Sequence, residues 1–309
     1  MCCNKDIYFA PLQGYTEDCY RRIHHQLCGG VKGYFTPFVR MEHGQTRSKD
    51  MRDIRHDFNE GVPVTPQIIA SSANELRKLT DRVLEEGYSA IDINMGCPFP
   101  LQTRHGRGAG LLPHPDVVEQ VCNAMSEYTQ VEFSVKMRLG LSANDEWKDV
   151  LPILNDIELK HITLHPRIGE QQYNGTTDED SFGEFLSACK HKVIYNGDLC
   201  SIKDIDRIIA KFPSIEGVML GRGLLARPTL AYEYANGINF SDEDVISRMK
   251  SMHSMLHEQY SHIIPAEAAI LSKLRTFWDY AEPTIGRKAW KKLKKAGNMR
   301  NYMIAVNEL

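Results

Sequence analysis

The sequence predicts an α/β protein: a (β/α)8 TIM barrel followed by a C-terminal all-helical domain. Two observations carry this. Eight short apolar, β-rich runs alternate with segments of helical periodicity from Asp6 to Gly223, and beyond about Phe240 strand-like runs stop. A barrel of eight such units needs about 250 residues, so 309 leave room for an appended domain. An open, doubly wound sheet would show a similar order of elements; eight successive crossovers favour the barrel. The expected division is 1–238 for the barrel and 239–309 for the helical domain.

The strand runs are DIYFAP, GYFTPF, VPVTPQIIA, SAIDINMG, VEFSVKMRLG, KHITLHP, KVIYNGD and EGVMLGRG. Between them, SANELRKLTDRVLEEG opens on a Ser/Asn cap, sets Leu76, Leu79, Val83 and Leu84 on one face, and stops at Gly87. HPDVVEQVCNAMSEY and SIKDIDRIIAKF repeat that pattern. In the tail, SDEDVISRMKSMHSMLHEQYSHI and EAAILSKLRTFWDYA space apolar residues by three and four. No long Pro/Gly/Ser linker intervenes, so the tail is expected to dock directly on the barrel.

Composition is that of an ordinary globular chain, 42% hydrophobic and 25% charged. No run approaches the roughly 18 to 20 apolar residues that span a bilayer, so no membrane partner is expected. The opening MCCNKDIYFAPLQGY lacks a secretory pattern, and a cytoplasmic location is expected. The eight cysteines, at 2, 3, 19, 28, 97, 122, 189 and 200, form no CxxC pair and no zinc spacing; no metal is expected and most read as buried thiols. The net charge of −3 hides an asymmetry: between Ser272 and Met303, nine Lys/Arg face two acids. An acidic body with a basic end suits a polyanionic partner.

In barrel enzymes the site lies at the C-terminal ends of the strands. Here those ends carry Pro11, Leu12 and Gln13; Gln67; Asn94; Lys136 and Arg138; His165 and Arg167; Asn196, Gly197 and Asp198; and Gly221 and Arg222. The set suits flavin mononucleotide. GDLCSIKD and GRGLL place Gly beside helix starts, where free N–H groups favour a phosphate, and barrels commonly hold phosphate after strands seven and eight. Gln67, Lys136 and His165 would bond the ring edge, with a cation stabilising the anionic reduced flavin. Taken singly, each segment also reads as a plain turn.

Cys97 differs from the other cysteines. It follows a strand directly, sits between Gly96 and Pro98, and precedes the Gly- and Arg-rich TRHGRGAGLL. A thiol there can act as a general acid.

APLQGYTEDCYRR and INMGCPFPLQTRHGRGAGLL, followed in order by VKMRLG, ITLHPR, YNGD and MLGRG, resemble the motifs of the tRNA dihydrouridine synthases over about 6–228. The resemblance implies FMN contacts at Pro11, Leu12, Gln13, Gln67, Lys136, His165, Asn196, Gly197, Asp198, Gly221 and Arg222. It implies Cys97 as the acid protonating uracil C5 while hydride reaches C6, with NADPH, or NADH, as reductant. It places Asn94 beside the pyrimidine, and Arg138, Arg167 and Tyr173 toward the substrate nucleotide. Two departures stand out. Leu12 replaces a frequent Met, a similar apolar body. Pro100 and Leu101 stand where many members carry a lysine, leaving Arg104 or Arg107 to supply that cation.

The tail segment GRKAWKKLKKAGNMRNYM reads either as a solvated face or as a phosphate-holding patch of Lys288, Lys291, Lys292, Lys294 and Lys295 that positions tRNA while the mouth takes one extruded base. Trp290 reads as core. The expectation is therefore a monomeric, flavin-dependent enzyme reducing uridine in tRNA. The alternatives are an FMN barrel reductase acting on a free pyrimidine or other small molecule, and a non-catalytic tRNA-binding protein.

Overall fold

In the computed structural model, which describes residues 5–309, each apolar run becomes a short parallel strand. Cys2 and Cys3 lie outside the described residues. The chain runs β1 (Asp6–Phe9), α1 (Asp18–Leu27), β2 (Gly33–Phe35), the antiparallel hairpin β3 (Met41–Glu42) and β4 (Gln45–Thr46), α2 (Ser48–Ile54), β5 (Val64–Thr65), β6 (Gln67–Ile68) and α3 (Ala73–Glu85). It continues through β7 (Ala90–Met95), α4 (Pro100–Thr103), α5 (Pro115–Ser126), β8 (Glu132–Gly140), α6 (Trp147–Asn155), β9 (Ile162–Ile168), α7 (Glu179–Ala188), β10 (Val193–Asn196), α8 (Ile202–Lys211) and β11 (Gly217–Leu220). The rest is helical: α9 (Arg222–Ala226), α10 (Leu230–Asn236), α11 (Asp242–Ile263), α12 (Glu267–Phe277), α13 (Glu282–Ile285), α14 (Arg287–Lys295) and α15 (Met299–Asn307).

The main sheet has the order β5-β2-β1-β11-β10-β9-β8-β7-β6, with parallel ladders throughout. Its two ends, β5 and β6, are halves of one stave broken at Pro66, so the sheet meets itself. Proline has no N–H to give a ladder, but the Pro66 carbonyl still accepts from the Asp92 N–H at 2.9 Å. Thr36 spans the break: its N–H donates to the Thr65 carbonyl (3.2 Å) and its hydroxyl accepts from the Gln67 N–H (3.0 Å). Eight staves thus close the expected barrel.

Strand alternation sorts the apolar residues. Ile7 and Phe9 point outward, where Phe9 meets the rings of Tyr20 and His24 on α1. Tyr8 and Ala10 point inward and pack with Phe35, Ile194 and Met219. Around the barrel, α3 buries Leu76, Leu79 and Val83, and α5 buries Val118 and Val121. The Ser72 side chain caps α3 by accepting from the Glu75 N–H, as the sequence predicts.

The helical segment docks directly on the barrel. α11, opened by a capping box between Ser241 and Asp244, packs on α1 and α12. Within the segment, the buried Tyr302 hydroxyl accepts from Trp278 Nε1 (2.8 Å) and donates to the Leu274 carbonyl (3.0 Å). Across the junction, Lys273 pairs with Glu17, the Tyr15 hydroxyl donates to Asp279 (2.9 Å), and the Thr284 hydroxyl donates to the Ala226 carbonyl (2.7 Å). Among the described residues no helix is long and apolar enough to cross a membrane.

Arg21, fully buried on α1, binds the Thr16 carbonyl (2.7 Å), the Asp53 carboxylate (3.0 Å) and Asn59 Oδ1 (2.7 Å), tying α1 to the end of α2. Removing one partner of a buried ion pair strands the other. Arg21→Met should therefore lower stability by about 3–5 kcal/mol in urea unfolding, whereas Arg77→Met, which breaks an exposed pair with Glu127, should leave the midpoint unchanged.

Candidate active site

The C-terminal ends of the strands open into one cleft, the usual place for a barrel's site. Its wall takes Pro11, Leu12 and Gln13 after β1, Gln67 from β6, Asn94 from β7, and Lys136 and Arg138 from β8. It continues with His165 from β9, Asn196, Gly197 and Asp198 at β10, and Gly221 and Arg222 after β11. Cys97 and Tyr173 enter from loops.

Beneath the cleft a chain of polar side chains starts at Asp92, whose side chain is wholly buried inside the barrel. Its carboxylate accepts from the Ser134 hydroxyl (2.6 Å) and Gln67 Nε2 (2.6 Å). Gln67 Oε1 accepts from Asn94 Nδ2 (2.7 Å), and Asn94 Oδ1 accepts from the backbone N–H groups of Gly96 (3.1 Å) and Cys97 (2.8 Å). An ionised carboxylate is acceptor-only, so it orients both amides in turn. The last link holds the backbone that carries the Cys97 thiol.

The loop after Cys97 closes on it just as tightly. The Ala109 N–H donates to the Cys97 carbonyl (3.0 Å). Gly108, at φ +61°, lies against the same residue, and a Cβ there would stand 2.7 Å from the Cys97 carbonyl oxygen and 2.9 Å from its nitrogen. Only glycine fits. Burial pushes the Cys97 thiol up, opposed by the Phe99 N–H and by Arg138 and Lys136, so at neutral pH it keeps its proton.

The cations around the cleft fall into two kinds. Lys136 is pushed down to about 8 by burial and by neighbouring Arg138, which leaves it charged at neutral pH; its Nζ takes part in none of the hydrogen bonds or ion pairs found among the described residues. Arg138 is bound, donating to the carbonyls of Gly96 (3.0 Å) and Ile168 (2.9 Å). Arg167 lies behind the cleft wall. Its guanidinium is shared among the Asp198 carboxylate, the carbonyls of Asn174 and Gly175, and His165 Nε2 at 3.0 Å. A guanidinium only donates, so His165 Nε2 is the acceptor and Nδ1 carries the proton. Burial, then Arg138 and Lys136, hold this imidazole well below its usual range, so it is neutral.

At the far end, Asp198 adopts a left-handed backbone (φ 48°) and pairs with Arg222 (2.8 Å) as well as Arg167. The start of α9 abuts the β10–α8 loop through Gly223, where a Cβ would lie 2.1 Å from the Leu199 carbonyl oxygen. The first N–H groups of α9 have no carbonyl one turn back to bind and stand at the cleft wall.

Several sequence-predicted contacts lie elsewhere. Arg107 pairs with Glu75, and Arg104 is exposed outside the cleft lining, so neither replaces the missing lysine in the wall. On α14, Lys292 pairs with Glu308 and Lys294 with Asp279, whereas Lys288, Lys291 and Lys295 enter none of the ion pairs among the described residues, and Lys288 and Lys291 are exposed. Lys295, at the end of the helix, is exposed as well, so it too remains open to a phosphate. Trp290, read from the sequence as core, is half-buried and donates Nε1 to the Trp278 carbonyl (2.9 Å). Sequence reasoning missed Asp92 and Ser134, which sit mid-strand; a charged residue inside the apolar run SAIDINMG was the available signal. It also missed Phe38, which packs with Ile69 and Cys97.

Burial pushes Asp92 up to about 6, against the pull of Gln67, Ser134 and Lys136. Its native pKa lies above the unfolded one, so between about pH 4 and 6 the native state keeps a proton that the unfolded chain has lost. That contribution is present at low pH and disappears as pH rises through 6. The stability of the wild type relative to Asp92→Asn should therefore fall by up to about 3 kcal/mol from pH 4 to pH 7 in urea unfolding; a pH-independent difference would contradict an ionisable Asp92.

Comparison with known proteins agrees with the geometry. The profile of the dihydrouridine synthase (Dus) family matches residues 8–303. The chain is 26% identical over 225 residues to tRNA-dihydrouridine synthase B of Pasteurella multocida (strain Pm70), covering 72% of this chain and 67% of that protein. It is 27% identical over 249 residues to tRNA-dihydrouridine(16) synthase of Neisseria meningitidis serogroup A / serotype 4A (strain DSM 15465 / Z2491), covering 77% and 74%. Among solved structures, a variant of NCR from Zymomonas mobilis superposes with TM-score 0.54 at 10% identity, over 76% of this chain and 87% of that one. Morphinone reductase in complex with tetrahydroNAD gives 0.54 at 9%, over 77% and 89%. These two likenesses show the shared barrel fold. With its profile matched across nearly the whole length, the chain belongs to the dihydrouridine synthase family.

Proposed function

We propose that the protein reduces the C5=C6 bond of uridines in tRNA to 5,6-dihydrouridine, with FMN as bound cofactor, NADPH or NADH as reductant and Cys97 as proton donor to C5. The observation that carries this reading is a thiol whose backbone is fixed at the wall of a cleft that also holds a lysine with no partner among the described residues. The names of the relatives support the substrate.

The residues present fit FMN. Lys136, a cation inside the barrel mouth with no hydrogen-bond or ion-pair partner among the described residues, would face the pyrimidine edge of the ring together with His165 Nδ1–H and Gln67. The backbone of Pro11, Leu12 and Gln13 would flank it. Asn196, Gly197, Asp198, Gly221 and Arg222 would hold the ribityl phosphate at the start of α9. When bound, the flavin supplies the hydride to uracil C6. The chain itself supplies the proton: the Cys97 S–H bond breaks toward C5, and the thiolate left behind is favoured by Lys136, Arg138 and the Phe99 N–H until solvent reprotonates it. Tyr173, framed by Arg138 (5.5 Å) and Arg222 (4.7 Å), would meet the substrate nucleotide at the rim, beside Asn94.

In the same reading, 1–238 is the catalytic domain and 239–309 holds the RNA, through Lys288, Lys291 and Lys295 more than through Lys292, which is partnered.

The deciding experiment follows the absorbance of the purified protein while NADPH and then unmodified tRNA are added without oxygen. A flavin band should bleach with NADPH and return only with tRNA. Cys97→Ala should still bleach but reoxidise with tRNA about 10²–10⁴-fold more slowly. A protein that cannot take up FMN, or that reoxidises equally fast with free uridine, would refute the reading. Replacing Lys288 and Lys291 with Ala should weaken tRNA binding and reduce the slope of log affinity against log salt by about one for each phosphate no longer neutralised, measured by fluorescence anisotropy.

A further inference from the structure

The turn that follows Cys97 carries two large apolar side chains turned to solvent. Phe99 is 50% exposed, and Leu101, at 76%, is the most exposed large apolar side chain among the described residues. Neither is there by slackness of the chain. Proline precedes and follows Phe99, the Phe99 carbonyl accepts from the N–H groups of Gln102 (2.8 Å) and Thr103 (3.1 Å), and the Pro100 carbonyl accepts from the Arg104 N–H (3.1 Å). Gln102, next along the turn, is buried, and the following loop presses on the turn at Gly110, where a Cβ would lie 2.6 Å from the Thr103 carbonyl oxygen. Turned outward, the two side chains cannot reach the core without unmaking this turn.

Their surroundings identify the occupant. Phe99 lines the cleft that takes the pyrimidine, so the apolar surface is continuous with the substrate site. Arg104 and His105, which follow on the same turn, are exposed, and their side chains enter none of the hydrogen bonds or ion pairs found among the described residues. Apolar faces flanked by a free guanidinium and an imidazole match an unstacked nucleobase and its phosphate: any base offers a π-face, and the guanidinium meets the backbone. We propose that the Phe99–Leu101 lip is a stacking platform for an unpaired base of the RNA next to the uridine taken into the cleft. The proposal rests on the RNA-substrate reading above. It gives Leu101 a role as an apolar contact in the loop where the resembled motif carries a lysine.

The test is tRNA binding to the FMN-loaded protein over a range of salt, by fluorescence anisotropy, for Leu101→Ala, for Phe99→Ala combined with Leu101→Ala, and for Leu101→Lys. Leu101 is exposed, so its truncation removes no core contact. Stacking is not screened by salt, so the double variant should bind about tenfold more weakly at every salt concentration with an unchanged salt slope, and Leu101→Ala alone should show a smaller weakening of the same kind. Leu101→Lys adds a phosphate-seeking charge and should steepen the slope by about 0.7 to 0.9. Equal affinity of wild type and double variant overturns the platform while leaving the enzyme reading intact. So does wild-type self-association in sedimentation that the double variant abolishes, since the lip would then be covered by a second copy. A wild type that binds no tRNA overturns both.

Discussion

A carboxylate sealed inside a closed barrel must be met by donors or it will not ionise, and in this protein the way Asp92 is met organises the mouth above it. Ser134 and Gln67 provide the donors. Because Gln67 gives its amide N–H downward, its carbonyl faces Asn94, and the Asn94 carbonyl in turn is left for the N–H groups of Gly96 and Cys97. One buried charge thus sets the direction of two amides and anchors the backbone of Cys97. Closure of the sheet is what makes this stringent: with β5 and β6 joined across Pro66 by Thr36, there is no open edge through which water could relieve Asp92.

The same low-dielectric mouth assigns protonation states to its other groups. Burial keeps Cys97 a thiol and His165 neutral, while Lys136 stays charged. A thiol, a neutral imidazole and a cation therefore coexist within one cleft, the division of labour that the proposed reduction by hydride and proton requires. Arg167 contributes without reaching the cleft, since its bond to His165 Nε2 chooses the tautomer. The left-handed backbone of Asp198 is held by Arg167 and Arg222, which places that strain at the wall of the site.

The helical segment shows how far a charge count is from a binding surface. Lys273 and Lys294, counted in the basic tail, hold the segment together and on the barrel through Asp279 and Glu17, and Lys292 is turned to Glu308. What α14 leaves open to a polyanion, among the described residues, is Arg287, Lys288, Lys291 and Lys295.

What the sequence determined by itself is everything that depends on near neighbours. Period-two apolar runs and helix-period faces set the order of strands and helices, Ser72 marks a helix start, and the strand-end polar residues converge because parallel strands share one C-terminal face. The glycine spacing after Cys97 was legible as a motif, and its cause, the packing of Gly108 on Cys97 itself, lies within a dozen residues. Tertiary structure decided the partners of long charged side chains. Arg107 meets Glu75, Lys273 meets Glu17 and Arg167 turns back to Asp198, although nothing in their local pattern distinguishes them from free cations. Such pairings join residues far apart in the chain, and a guanidinium or ammonium on a flexible stem goes to whichever carboxylate folding brings within reach.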